Sequence, residues 1–433
     1  MNKVLDIRRL IHSRSINNSI WIIGEQVFQM VISLVVGILT ARFLGPSNYG
    51  TLNYTFSFVS FVSSIATLGM ETVVIKKIIE HPNEEGLYLG SCIGFRIFSS
   101  VICSIVIAIM VFYLNGHDTT KLLLVSLQSL KLLFDSVHIL DSWFQRHLKS
   151  KYVSIGKMIA CVIVSLYKVF LLATSKSVAW FAFSNSFSDL IIGVVMLFFY
   201  FKDQGQLLKF SLKKGFEVLH ESYHFIISGL MVSVYGQMDR MMIGQMMTDT
   251  DVGLYTTAST LCSMWIFVPI AIMNSFRPII LEKKHNGDEK QYLKTLMMLY
   301  SAIIWMSIFA SVCICAISQP LISVLYGELY LGSVTPLRII IWCETFSMIG
   351  TARSIWLLCE DKNMYAKYLL AIGAFVNVVL NAIFIPNIGI NGAAFATLIT
   401  QITTSMVAPL FFKETRIHTK IVIDSFLLKW REL

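Results

Sequence analysis

A run of about 20 predominantly apolar residues is long enough to cross the hydrocarbon of a bilayer, and this chain supplies such runs one after another. They fall at 19–42, 51–74, 88–113, 121–144, 153–174, 178–201, 223–247, 253–280, 292–318, 336–360, 366–386 and 389–412. Inside lipid every backbone N–H and C=O must be satisfied within the segment, so a continuous apolar run of this length is a helix. Composition agrees. Of 433 residues, 55% are hydrophobic and 14% charged, with a mean hydropathy of +0.68, whereas soluble domains carry about 25% charged residues. The expected fold class is an all-α polytopic membrane protein with about twelve transmembrane helices.

The first run follows Arg8, Arg9 and Arg14 but ends in ARFLGPS. It is too long for a signal peptide and lacks a small-residue cleavage pattern, so it reads as a retained span. The loops alternate in charge. One side collects Lys3, Arg8, Arg9, Arg14, Lys76, Lys77, Arg146, Lys149, Lys151, the lysines of 202–214 and nearly all later loop lysines. The other holds Lys121 and Lys176. Basic loops stay in the cytoplasm, which places both termini there. The net charge of +9 therefore reflects topology and implies no nucleic acid. All eight cysteines lie inside or at the edge of spans, so neither disulfides nor zinc are expected. No GxGxxG, Walker A, HExxH or Ser/His/Asp constellation is present, and no cofactor is expected. The longest outer loop, 319–335, has one acid, Glu328, and no histidine or basic residue, unlike the catalytic loop of a membrane glycan polymerase.

The longest internal polar connection suggests a division into a six-helix lobe at 1–201, an amphipathic cytoplasmic linker at 202–222, a second six-helix lobe at 223–412 and a tail at 413–433. The halves share a pattern. FLGPSNYGTLNYTFS (43–57) and MMTDTDVGLYTTAST (246–260) both run from a polar turn through Gly50 or Gly253 into a Thr/Tyr/Ser-rich span. Such internal repeats are common among transporters. Pro269 removes a backbone hydrogen bond in mid-span and predicts a hinge. Gly90 and Gly94 make a four-residue stripe that predicts helix-to-helix packing. The tail fits either an amphipathic helix with Ile417, Ile421 and Leu428 on one face or a disordered segment.

TARFLGPSNYGTLNYTFSFVSFVSSIATLGMETVVIKK (40–77), QMDRMMIGQMMTDTDVGLYTTAS (237–259) and IPNIGINGAAFATLIT (385–400) resemble the polysaccharide-transporter family of the MOP exporter superfamily. The likeness is to Wzx-type O-antigen and capsule repeat-unit flippases in particular. It implies two six-helix lobes around a central cavity. It also implies export of an undecaprenyl-pyrophosphate-linked oligosaccharide by alternating access, with H+ or Na+ as the coupling ion and glycan polymerase components as neighbours. The rival readings are a cation-coupled multidrug or metabolite antiporter of the related multidrug-exporting family, and a non-transporting scaffold of a glycan assembly complex.

The charges within the spans point the same way. Glu25, Arg96, Lys131, Asp135, Lys157, Lys168, Asp189, Asp239, Arg240, Glu344 and Arg353 all fall inside apolar runs. Facing lipid, each would cost about 3 kcal/mol at a helix centre, so they must pair, snorkel or line water. Lys131 and Asp135 are one turn apart and able to pair with each other. Lys157 and Lys168 are three turns apart on one face, as a basic stripe along a cavity would be. Lys131, Arg96, Lys168, Arg353 and Arg240 are the candidate ligands for a pyrophosphate headgroup, since cations suit phosphate oxygens. Asp239, Asp189, Glu344 and Asp135, with Pro269, are the candidates for coupling and gating.

Overall fold

The structure, a computed structural model, describes the backbone of residues 14–431 and side chains from Gly24 onward. Lys3, Arg8, Arg9 and the Arg14 side chain lie outside the described residues. Helix α1 (Arg14–Ala66) bends at Gly45, whose φ of 71° only glycine adopts cheaply, so its two parts are separate spans. There follow α2 (Glu71–Glu80), α3 (Glu85–Leu114), α4 (Thr119–Asp135), α5 (Asp141–Arg146), α6 (Ser150–Ala173), α7 (Val178–Lys202) and α8 (Leu212–Met246). The second half continues with α9 (Asp249–Ser263), α10 (Phe267–His285), α11 (Glu289–Tyr326), α12 (Val334–Cys359), α13 (Met364–Ile388), α14 (Ile390–Ile402) and α15 (Arg416–Phe426). No strand occurs among the described residues.

Among the described residues, nine helical stretches are long and apolar enough to cross a membrane, and the first is long enough for two crossings. The two expected spans outside that set are α8 and α12. At 35 and 26 residues they have the length, but they carry Asp239 with Arg240 and Glu344 with Arg353. Their charges, not their geometry, set them apart.

The chain forms two compact units, one of residues 1–44 and 54–233, the other of 45–53 and 234–433. Each has an apolar core at the lysine-rich ends of its spans. In the first unit Met70, Tyr88, Ile139, Trp143, Met196 and Tyr200 meet; in the second, Ile280, Tyr292, Tyr300, Ile355, Trp356 and Ile421.

Residues 203–211 are not helical, and from Leu212 the chain is already α8. Gly90 and Gly94, with Gly86, receive this non-helical strap instead of a helix. A Cβ at Gly86 would sit 2.4 Å from the Leu207 carbonyl oxygen, one at Gly90 2.5 Å from that of Lys209, and one at Gly94 2.6 Å from the Phe210 ring. Lys209 N–H donates to the Gly86 carbonyl at 3.1 Å, and Ser211 N–H to Ser91 Oγ at 2.9 Å. Beyond it Lys77 is held by Glu217 and Glu221 at 2.7 and 2.6 Å.

In the second unit the two matched motifs pack on one another. A Cβ on Gly50 would lie 1.6 Å from the Asp249 carbonyl oxygen, and one on Gly253 2.0 Å from that of Pro46. Thr51 adds a 2.8 Å hydrogen bond to Asp249. The tail helix α15 is docked, with a different face from the one expected. His418, Ile421, Val422 and Ser425 are buried while Ile417 is 55% exposed. Its anchors are hydrogen bonds: Tyr300 Oη with His418 Nε2 at 2.8 Å, and Ser301 Oγ donating to the Ser425 carbonyl at 2.6 Å. Polar pairing chose the face that hydropathy alone misassigned.

Candidate functional site

Two groups of polar side chains lie within the spans, one in each unit. The first is built where the fourth span breaks. After Asp135 the chain tightens into a 3₁₀ turn, Ser136–Leu140, before α5. Asp135 accepts from Arg96 Nη2 at 3.1 Å and lies 2.9 Å from His138 Nδ1. Lys131 does not pair with Asp135; it reaches to α7 and donates to Asp189 at 2.9 Å. The tightened turn aims Asp135 at α3, leaving Lys131 free to satisfy Asp189.

Beside this cluster is a cavity of about 520 Å³, lined among others by Glu25, Gln29, Lys157, Lys168, Asn185 and Asp189. A second of about 430 Å³ shares Glu25, Gln26 and Lys157 and adds Asp141 and Gln145. A third of about 170 Å³ is bounded by Glu71, Asp135, His138 and Asp141. All three belong to the first unit. Lys157 and Lys168, three turns apart on α6, both reach the largest one, and neither is in ion-pair contact among the described residues. Amides, hydroxyls, two ammonium groups and the carboxyl groups of Glu25 and Asp189 thus line the cavity. Such a lining offers hydrogen bonds to sugar hydroxyls and point charges to an anion.

The second group surrounds Asp239. Its Oδ1 accepts from Asn377 Nδ2 at 3.1 Å and Asn381 Nδ2 at 2.7 Å. Its Oδ2 accepts from Tyr255 Oη at 2.6 Å and Thr397 Oγ1 at 2.7 Å. Four neutral donors from α9, α13 and α14 therefore hold one buried carboxylate. Arg240, one residue on and about 100° around the helix, turns elsewhere, to Gln237 at 3.3 Å and Ser259 at 3.1 Å.

The remaining candidates are dispersed through the second unit. Arg353 Nη1 donates to the Thr404 carbonyl, inside a π-helical turn at Thr403–Val407 whose backbone is out of α register. Glu344 has a buried Oε2 with no hydrogen-bond partner in the structure. Pro269 follows a 3₁₀ turn, Met264–Ile266, that divides α9 from α10. The break lies where the missing proline N–H would have bonded to Trp265.

Residues 15–282 match the family model described as polysaccharide biosynthesis protein. The chain belongs to that family. No curated protein matches the sequence. Among solved structures, the fold is similar to the lipid II flippase MurJ in an inward closed conformation. There the TM-score is 0.69 at 16% identity, covering 97% of this chain and 93% of that one. It is also similar to an inward-facing multidrug resistance MATE family transporter of the MOP superfamily, at TM-score 0.63 and 12% identity over 93% and 94% of the two chains. A MOP superfamily transporter from Pyrococcus furiosus gives 0.56 at 14% identity over 97% and 95%. The fold is the one those flippase and transporter structures share, in line with the resemblance read from the motifs.

Several site residues were not singled out from the sequence. His138 is the one histidine in the first cluster, and its signal was present in DSVHILD, an Asp and His one turn apart. Asn377 and Asn381 stand four residues apart in an otherwise apolar helix. Uncharged polar residues in a span carry the same message as charged ones, more quietly.

Proposed function

We propose that this protein is a flippase for a polyprenyl-pyrophosphate-linked oligosaccharide repeat unit. It moves the unit from the cytoplasmic to the outer leaflet of a bacterial inner membrane by alternating access. The product feeds synthesis of O-antigen, capsule or exopolysaccharide, alongside the glycan polymerase. The observation that carries this reading is the cavity of about 520 Å³ with two lysines free of ion pairs and a lining of amides and hydroxyls. A hydroxyl transferred to hydrocarbon without a partner costs about 4 kcal/mol or more, so an oligosaccharide needs such a lining. The pyrophosphate finds its cations in Lys157 and Lys168. The polyprenyl chain stays in lipid and asks nothing of the protein. A lipophilic cationic drug would meet Lys157 and Lys168 beside the Glu25 carboxyl group and the Lys131-paired Asp189, an excess of like charge that argues against the antiporter. Family membership and the fold shared with a lipid-linked-substrate flippase support the reading. The lysine-rich loops support an orientation with both termini in the cytoplasm. Asp239, held without any cation, is the coupling carboxylate of the second unit, for H+ or Na+.

The test is a deletion strain. Loss of the protein should abolish surface glycan and accumulate the polyprenyl-linked unit on the cytoplasmic leaflet. The wild-type chain should restore export and Lys168→Ala should not, at equal membrane abundance. Full surface glycan in the deletion strain would overturn the reading.

A further inference from the structure

The first-unit cluster contains a histidine that the transport reading above does not use. His138 Nδ1 faces Asp135 Oδ1 at 2.9 Å and Asp189 Oδ1 at 3.8 Å. Its other nitrogen, Nε2, lies 3.2 Å from the Asp189 backbone carbonyl oxygen. Both ring nitrogens therefore point at oxygens that only accept. A neutral imidazole has one N–H and one lone pair, and would set that lone pair against an oxygen lone pair on one side or the other. The imidazolium donates on both sides. The geometry points to His138 as a proton-binding site, loaded in this conformation, through which the first unit takes up and releases H+.

The surrounding charges make the site reversible. Arg96 of α3 already neutralises Asp135, and Lys131 of α4 neutralises Asp189 of α7. Release of the His138 proton therefore leaves no carboxylate without a cation, whereas a group that was the sole partner of a buried acid would be locked in place. Glu71 of α2 stands 3.8 Å from Arg96; Asp141 of α5 and Lys157 of α6 share the small cavity with His138. The same two cations on the carboxylates weigh against reading Asp135, His138 and Asp189 as a metal site. Access is built in as well, since His138 lines both the cavity of about 520 Å³ and the one of about 170 Å³. Release transfers the Nε2 proton to water in the larger cavity. The neutral Nδ1–H form stays bonded to Asp135, and only the hydrogen bond to the Asp189 carbonyl breaks. That bond ties the 3₁₀ turn to α7, so protonation links the two elements and deprotonation frees them.

Proton binding is independent of the substrate; a coupling role for it rests on the flippase reading. The test has two arms with the full chain in lipid nanodiscs and in proteoliposomes. In histidine-¹⁵N-labelled protein, the difference between wild type and His138→Gln, or His138→Asn should the former fail to fold, isolates the His138 resonances. Two protonated ring nitrogens at the acid end of a pH titration, turning to one at the alkaline end, are expected. Translocation by wild type should change about fivefold or more across that range while His138→Gln stays flat. A His138 that is neutral at the acid end, or a variant with the wild-type pH profile, overturns the proposal. If His138 titrates as expected but no glycan moves, the proton site stands and the flippase reading fails.

Discussion

Asp239 lets structure and coupling be separated with two substitutions. Asp239→Ala removes the shared acceptor of four donors, Asn377, Asn381, Tyr255 and Thr397, at 2.6–3.1 Å. Hydrogen bonds to a charged group contribute about 1.5 kcal/mol or more each, about 6 kcal/mol or more for the four together. The Tyr255 and Thr397 hydroxyls can turn to other acceptors, and Thr397 Oγ1 already has the Ala393 carbonyl at 3.0 Å. The two asparagine amides cannot turn so easily, which leaves a loss of about 3–4 kcal/mol. Asp239→Asn behaves differently. Its Oδ1 still accepts from Asn377 and Asn381, and its new amide donates to the two hydroxyls, each able to accept, so the loss is about 1 kcal/mol. Thermal unfolding of the purified protein in detergent should rank wild type, then Asn close behind, then Ala well below. The Asn variant should insert normally yet lose the ion-driven part of transport, because an amide neither titrates nor carries charge. An Asn variant as unstable as Ala refutes the hydrogen-bond cage. One that transports with unchanged pH and sodium dependence makes Asp239 purely structural.

Lys168→Ala should reduce export strongly while changing stability by no more than about 0.5 kcal/mol, since it breaks no ion pair; equal loss of folded protein and export would contradict this. Gly90→Leu places a side chain where the Lys209 carbonyl lies 2.5 Å from the Cβ position, so limited proteolysis should cut residues 203–211 faster than in wild type. His418 should make the fold acid-sensitive. Burial, reinforced by the Arg353 guanidinium, pushes its imidazole well below the usual range. A depressed histidine contributes stability that is complete above its unfolded pKa of about 6.5 and is lost as the pH falls below it. The unfolding midpoint should therefore drop from about pH 7.5 to 5.5, and His418→Gln, which still accepts from Tyr300, should flatten that drop.

The spans were legible because bilayer thickness and backbone hydrogen bonding leave little choice of structure for a long apolar run. The same logic located the deep charges, but pairing across helices was beyond it. Lys131 and Asp135 satisfy the one-turn rule and still do not pair, because the helix ends at Asp135 and a 3₁₀ turn redirects it toward Arg96. Nothing local in the sequence announces that ending. Gly90 and Gly94 carried the signal of close approach, but not the nature of the partner. In α15, Ile417 and Ile421 look equivalent by hydropathy, and the buried hydrogen bond of His418 to Tyr300 decided the rotation. Uncharged polar residues were the main blind spot. Asn377, Asn381 and Thr397 become informative only once Asp239 is seen to need four donors.

The central claim is that the chain moves a lipid-linked glycan between leaflets. Purified protein in liposomes, supplied with a polyprenyl-pyrophosphate oligosaccharide bearing a fluorophore on the sugar, measures it directly. A membrane-impermeant quencher added outside reports the fraction in the outer leaflet over time. The account predicts protein-dependent equilibration of the probe between leaflets, strongly slowed in Lys168→Ala and not inhibited by a lipophilic cation. A probe that stays in its starting leaflet with wild-type protein present, or one that equilibrates equally fast with Lys168→Ala, would contradict it.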